Sequence, residues 1–198
     1  MNKTIVKLRK IFKEGYLPSR DSSEEYAFIA YQDKDLAEIT NCFEHACFNL
    51  TNEQLENFDK SDLENFFSLP KLKNDNLSRE QIFEIVIKAI KSTSLNVGKA
   101  KETLKKNEWN VAMYFSDDDI DVHFLLQEKD GSWSGKMGKS DRVEHYSILP
   151  LKTEGVLSTY SLYKVFSIQN PFVKLSSQEK ERCRWHLFNR NRSFKYFL

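Results

Sequence analysis

The sequence has no marked excess of charge of either sign. Its 198 residues include 30 lysines and arginines against 29 aspartates and glutamates. Proteins that bind nucleic acid or an anionic membrane through their overall field carry a strong positive excess, so this balance argues against both functions. We therefore expect no nucleic-acid partner.

Long apolar runs are missing too. No stretch approaches the roughly 18 consecutive apolar residues of a membrane helix. Residues 1–20 also lack the apolar centre and the small-residue cleavage site of a secretory signal. We expect a protein that is made in the cytoplasm, without a membrane span and without a Sec signal peptide.

Cysteines are few and unpaired in their spacing. The three cysteines stand at positions 42, 47 and 183, and no two of them form a CxxC motif. An odd number without that spacing argues against a disulfide scaffold and against a zinc site, and it favours a reducing compartment. The sequence predicts neither a bound metal nor a cofactor.

What the sequence does contain is enough apolar residues for one buried core, with 40% apolar and 13% aromatic content. Period-two alternation predicts strands in its second half, around a hairpin turn at Asp130-Gly131, because glycine supplies the positive φ that such a turn needs. The predicted strands are 111–115, 120–127, a return strand from Trp133, 142–151 and 160–168, with a loop at 152–158. We expect a single α+β domain spanning residues 1–198, with helices first and an antiparallel sheet after them.

Helical spacing of apolar residues predicts the other elements. Residues 4–13 form a short amphipathic helix, so 1–25 is interpreted as a peripheral N-terminal helix and loop. Ser78 and Gln81 predict a capping box for a longer helix with a buried stripe. A second helix is expected at 96–106, which makes 78–108 a possible helical insertion. Two short helices within 52–69 and a closing helix at 178–189 complete the prediction.

Cys42 is the candidate nucleophile. Asn41 is a predicted N-cap and Glu44, three residues later, completes a capping box, so the helix begins at Cys42. A thiol in the first turn is favoured as thiolate by the helix dipole. Cys47 instead belongs to the apolar stripe of this helix and is predicted to pack, while Cys183 lies between two arginines on a charged helix.

His123 is the candidate base. In the alternating segment 120–127 it shares one face with Asp121, Leu125 and Gln127, near the middle of a meander. A thiol hydrolase needs an imidazole that takes the thiol proton, and Cys before His is the order found in papain-like enzymes. A structural histidine that bonds its neighbours is the alternative interpretation.

The residues of these segments resemble those of bacterial papain-like cysteine peptidase-type proteins, including virulence effectors. The similar segments are NCF at 41–43, WNVAMY at 109–114, DVHF at 121–124 and DGSWSGKMG at 130–138. This chain differs in having Val122 where the family has an aromatic residue and Gly135 where it has a histidine.

The resemblance implies a papain-like fold, with the nucleophile at a helix N-terminus packed on the sheet. Cys42 would be the nucleophile and His123 the base and then the acid. The third residue, which orients the imidazole, is expected after Gly138; Asp141 is favoured, with Glu144 and Ser147 as alternatives. Asn41 and the backbone N–H of Cys42 would contribute to an oxyanion hole.

The expected function is thiol-dependent acyl transfer on a protein substrate. Peptide hydrolysis, glutamine deamidation and transglutamination remain open, since all three pass through the same thioester. By resemblance, the protein would be a bacterial effector delivered into a host cell. The alternative is a non-catalytic module that binds a host protein, for example ubiquitin, because residues 78–115 also resemble a ubiquitin-associated three-helix module.

Overall fold

The computed structural model describes residues 2–20, 40–58, 77–117, 121–138, 142–154 and 159–175. These residues form four helices, which are α1 (Lys3–Lys13), α2 (Cys42–Cys47), α3 (Asn52–Leu55) and α4 (Arg79–Ser92). They also form seven strands: β1 (Asn96–Lys99), β2 (Glu108–Ser116), β3 (Val122–Gln127), β4 (Trp133–Lys136), β5 (Val143–Tyr146), β6 (Lys152–Glu154) and β7 (Thr159–Gln169). The expected α+β class is confirmed.

All seven strands belong to one antiparallel sheet in the order β1-β7-β2-β3-β4-β5. β1 and β6 both pair with β7, along different parts of this long strand. β2 lies between β7 and β3, and all nine of its residues are buried. The hairpin predicted at Asp130-Gly131 is confirmed, with Gly131 at φ 93° between β3 and β4.

The helices begin where polar side chains cap them. Ser78 and Gln81 form the predicted capping box of α4, and Ile82, Val86 and Ile90 are its buried stripe. The same stripe packs with residues of β2 and β3 in the main apolar cluster. α4 is therefore tied to the central strands by apolar burial, which is the principal source of stability of a short amphipathic helix.

The amphipathic helix predicted at 4–13 is present as α1, and its apolar side packs into the core. Leu8 and Phe12 are fully buried in the main cluster. The side-chain amide of Asn170 donates to the carbonyl oxygens of Phe12 and Tyr16, at 2.9 and 2.7 Å. α1 therefore connects to the end of β7 as well as to the apolar cluster.

The helix predicted at 96–106 is wrong. β1 occupies Asn96–Lys99 and pairs with β7, with Val97 opposite Ile168. Pairing with a neighbouring strand has overridden an amphipathic helical pattern, as tertiary context commonly does. Within the segment 78–108 only α4 is helical, and it is followed by β1, an edge strand of the same sheet.

The segment 111–115 is strand, as predicted, so the resemblance of 78–115 to a three-helix module does not extend to its structure. β6 is a strand inside the predicted loop 152–158. The helices predicted at 61–69 and 178–189 lie outside the described residues. In the part of the chain that the structure describes, no helix has the length and apolar character needed to cross a membrane.

Candidate thiol and histidine site

Asn41 determines where α2 begins and therefore where the thiol lies. Its backbone is extended, and its side-chain oxygen accepts hydrogen bonds from the N–H groups of Phe43 and Glu44, at 2.9 and 3.2 Å. The predicted N-cap is confirmed, and Cys42 is the first helical residue. The predicted capping box is wrong, because the carboxylate of Glu44 accepts from the N–H of Leu50 instead, at 2.8 Å.

The thiol of Cys42 lies against the backbone of β3. Its Sγ donates to the carbonyl oxygen of Val122 at 3.9 Å, and the backbone N–H groups of Phe124 and Phe43 are close enough to lower its pKa. The residue between Val122 and Phe124 is His123. Helix α2 therefore brings the predicted nucleophile to the strand, and to the position on it, that carries the predicted base.

The imidazole of His123 lies on the opposite face of that strand. Its ring contacts Tyr114 and Tyr160, with centroid distances of 6.4 and 5.5 Å, whereas Cys42 packs with the cluster under the helices. His123 is 7% exposed. Within the described residues no hydrogen bond joins its ring to Cys42 or to any other group.

Both groups nevertheless point toward the gap between β3 and β4. A Cβ placed on Gly135 would lie 3.1 Å from Nε2 of His123 and 3.2 Å from the carbonyl oxygen of Phe124. The N–H and C=O of one strand residue point to the same side, so the thiol that contacts the N–H of Phe124 is on the β4 side as well. The thiol approaches this gap from one face of the sheet and the imidazole from the other.

Burial keeps both groups neutral. It raises the pKa of the Cys42 thiol to about 12, against the opposing effects of the Phe124 N–H and of Lys136. It lowers the pKa of His123 to about 4, against the opposing effect of Asp121. At neutral pH the conformation therefore holds a thiol and a neutral imidazole, and not an ion pair.

Asp121 was expected on the same strand face as His123, but no role in the site was predicted for it. Its carboxylate accepts hydrogen bonds from the N–H of Val122 at 2.8 Å and from the hydroxyl of Tyr160 at 2.5 Å. It acts on the pKa of both His123 and Cys42. Its position two residues before His123 in a strand was the available signal, because such residues share a face.

Of the three candidates for the third site residue, the structure describes Glu144 and Ser147. Asp141 lies outside the described residues, so its relation to His123 stays a prediction. Glu144 stands opposite Gly135 in the sheet and accepts from the hydroxyl of Tyr146 at 2.5 Å. Ser147 is exposed after the end of β5.

A second histidine, His45, lies in α2 and is fully buried together with its partner Ser134. His45, one turn after Cys42, has its Nε2 3.1 Å from the hydroxyl of Ser134, which in turn donates to Glu128. Burial lowers the pKa of His45 to about 3. This chain of contacts ties α2 to β4 and leaves His45 as a neutral structural residue.

Cys47 is buried in the main cluster, as predicted for a packing residue, and burial raises its thiol pKa. Cys183 lies outside the described residues. Among the residues that the structure describes, no group of three or more His, Cys, Asp or Glu side chains is arranged to hold a metal ion.

A family model described as a domain of unknown function (DUF7689) matches residues 20–162. The matched segment contains Cys42, His123 and Gly135, as well as every strand from β1 to β6. Neither the curated proteins nor the solved structures contain a match to this chain.

Proposed function

Because the chain belongs to the DUF7689 family, a domain of unknown function, we propose its function from the geometry of its own residues. The proposed activity is thiol-dependent acyl transfer on a protein substrate. Cys42 is the nucleophile, and His123 is the general base and then the general acid. The α+β arrangement around them would be papain-like.

The observation that carries this proposal is the convergence of two side chains on one gap in the sheet. Cys42, at the start of α2, contacts the backbone on both sides of His123, and Nε2 of His123 points toward Gly135. A helix-borne thiol beside a strand-borne imidazole is the combination that thiol acyl transfer requires. Gly135 has no side chain, which lets Leu125 and the imidazole of His123 pack against its backbone.

In the first step the imidazole turns into the gap and takes the proton of the thiol. The S–H bond breaks and an N–H bond forms, so two neutral groups become a thiolate and an imidazolium. Asp121 favours the imidazolium, since its carboxylate raises the pKa of His123. The thiolate then attacks the carbonyl or carboxamide carbon of the substrate and forms a tetrahedral intermediate.

The intermediate collapses when the imidazolium gives its proton to the leaving amine or ammonia, which leaves a thioester on Cys42. The backbone N–H of Cys42 and the side-chain NH₂ of Asn41, whose oxygen caps the helix, are proposed donors to the oxyanion. Water as the second nucleophile gives hydrolysis or deamidation, and an amine gives transglutamination.

The test of catalysis is the rate at which an iodoacetamide-type probe labels each cysteine near neutral pH, followed by peptide mapping. We expect Cys42 to be labelled faster than Cys47 and Cys183, and His123→Ala to slow the labelling of Cys42 alone. Equal rates for the three cysteines, without any dependence on His123, would remove the support for an enzyme.

The products separate the three chemistries. After incubation with a candidate protein substrate, a mass gain of about one dalton indicates deamidation, two fragments indicate hydrolysis, and a crosslinked species indicates transglutamination. By the resemblance to virulence effectors, proteins of a host cell are the first candidates. The Cys42→Ala variant is the control that must give none of these products.

A non-catalytic host-protein interaction module is the second candidate. It is favoured by the neutral state of both Cys42 and His123 and by the absence of a hydrogen bond between them in the described residues. In that case binding of a partner would be unaffected by Cys42→Ala, and the labelling experiment would show no His123 dependence.

A further inference from the structure

Lys136 lies inside the protein beside the start of α2. Its side chain is 0% exposed, although lysine is among the residues least often fully buried. Its Nζ donates to the carbonyl oxygen of Thr40 at 2.9 Å and to that of Gly138 at 2.8 Å. A buried ammonium is costly and needs compensation, so these contacts call for an explanation beyond packing.

The two hydrogen bonds fix the position of the nucleophile. Thr40 directly precedes the helix cap Asn41, and Gly138 follows the end of β4. Lys136 therefore ties the segment that leads into Cys42 to the strand that borders the gap. It also belongs to the segment 130–138, one residue after Gly135, and no step of the proposed reaction has used it.

The ammonium also acts on the charge state of α2. It lowers the pKa of Cys42, of Glu44 and of His45, in each case against or alongside a larger effect of burial. The other titratable groups that act on the thiol or on these neighbours are Asp121, His123, Cys47 and His145. Of the charged groups that act directly on the thiol, Lys136 favours the thiolate and Asp121 opposes it.

We propose that Lys136 is a positioning residue of the thiol site, which fixes the start of α2 and stabilises the Cys42 thiolate after the proton has passed to His123. The role of the thiolate rests on the proposed acyl transfer. The effect of Lys136 on the thiol does not, because it can be measured with a small alkylating probe and without a substrate.

Three substitutions separate the charge of Lys136 from its hydrogen bonds. Lys136→Met removes both, Lys136→Gln keeps hydrogen-bond donors without the charge, and Lys136→Arg keeps the charge. Lys88→Met, on the exposed side of α4, is the matched control. Labelling of Cys42 by iodoacetamide is followed from about pH 6 to pH 10 by peptide mapping, since the thiolate is the reactive form.

We expect the labelling curve of Cys42 to move to higher pH by about one unit in the Met and Gln variants, which slows labelling about tenfold below the midpoint. The Arg variant and Lys88→Met should keep the wild-type curve. If Gln and Arg behave alike, or if Met accelerates labelling of Cys42 and Cys47 equally, the role is packing alone and the proposal is overturned.

A measurement with Lys136 in place covers the case in which the Lys136 variants do not fold. The ¹⁵N resonance of the Lys136 ammonium at pH 7 should differ between the wild-type protein and Cys42→Ala, because the ammonium and the thiol interact. An identical resonance in the two proteins excludes the coupling. If no substrate is ever turned over but the labelling curves depend on Lys136, the acyl-transfer proposal fails and the inference about Lys136 stands.

Discussion

On the face of the sheet that α1, α2 and α4 cover, β2 and β3 contribute Met113, Phe124 and Leu126 to one continuous apolar cluster. On the opposite face the same two strands contribute Tyr114 and Leu125 to a smaller cluster, with His123 against its tyrosine rings. Successive side chains of a strand point to opposite faces, so each of these strands contributes side chains to both clusters.

The two faces of the sheet contribute differently: one mainly stabilises the fold, and the other carries the polar groups of the proposed chemistry. The helix-covered face buries aromatic and aliphatic side chains and holds the elements together. The other face carries an imidazole, several tyrosine hydroxyls and carboxylates, of which Asp121 and Glu144 are bonded to tyrosines. Cys42 packs on the helix-covered face, and its thiol points toward the gap between β3 and β4.

The largest expected effect comes from Cys42→Ala. If the thiol is the nucleophile, the substitution should reduce activity by about ten-thousandfold or more, because the covalent step is lost. The melting temperature should change by only a few degrees, since Cys42 is partly buried at the edge of the main cluster and the substitution removes a single heavy atom.

Cys47→Ala, on the same helix, is the matched control. Its side chain is fully buried, so its loss should cost about 1–2 kcal/mol of stability and leave the activity of the folded protein intact. If Cys42→Ala were the more destabilising of the two and both kept activity, Cys42 would be a packing residue.

Phe124→Ala should produce the largest loss of stability. The ring is fully buried and packs edge-on against Phe43, with centroids 5.4 Å apart. Such a truncation costs about 3–5 kcal/mol, which urea unfolding would measure. On the other face, Tyr160→Phe removes the hydroxyl that donates to Asp121 and should cost about 1 kcal/mol. Equal losses of stability in the two variants would show that the two faces of the sheet contribute equally to the stability of the fold.

The Gly135→Ala substitution tests whether the imidazole of His123 lies at the gap between β3 and β4. Its Cβ would lie 2.3 Å from Cδ2 of Leu125 and 3.1 Å from Nε2 of His123, so the leucine must move and the imidazole is displaced. We expect a loss of about 1–3 kcal/mol and a changed ring resonance of His123 in NMR spectra. Gly98→Ala is the control, because its Cβ would meet only the hydroxyl of Ser167, at 3.3 Å. An unchanged His123 resonance in Gly135→Ala would contradict the proposed geometry.

Glu44→Gln should have the smallest effect, and only at higher pH. Burial raises the pKa of Glu44 from 4.5 to about 7, so the unfolded chain releases this proton first and stability falls as pH rises between these values. Glutamine has no such proton, and its oxygen can keep the bond from Leu50.

We therefore expect Glu44→Gln to match the wild-type protein at about pH 4 and to exceed its stability by about 1 kcal/mol at about pH 8. Urea unfolding at the two pH values measures this. The exposed Glu56→Gln should show no difference at either pH. If Glu44→Gln is no more stable at pH 8, burial of the carboxyl is not the dominant effect.

The sequence predicted the parts of the structure that local rules govern. Asn41 as a cap, the buried stripe of α2 and α4, the alternation of 120–127 and the turn at Gly131 follow from capping, periodicity and glycine conformation. β1 could not be found in this way, because a four-residue edge strand depends on its partner β7. Edge strands of this length carry little periodic signal.

The candidate site was predictable only in part. Cys42 and His123 were singled out as residue types, and the structure brings the thiol to the backbone of His123. That their side chains lie on opposite faces could not be read from the spacing, because it depends on the register between α2 and β3. Lys136 was missed because a lysine between apolar and small residues gives no sign in sequence of being buried.

Asn170 joins the two ends of the fold, since it bonds to the carbonyl oxygen of Phe12 across 158 residues of chain. During synthesis α1 is made long before β7 and Asn170. This bond to α1 cannot form until Asn170 has been made, and contacts over such separations slow folding.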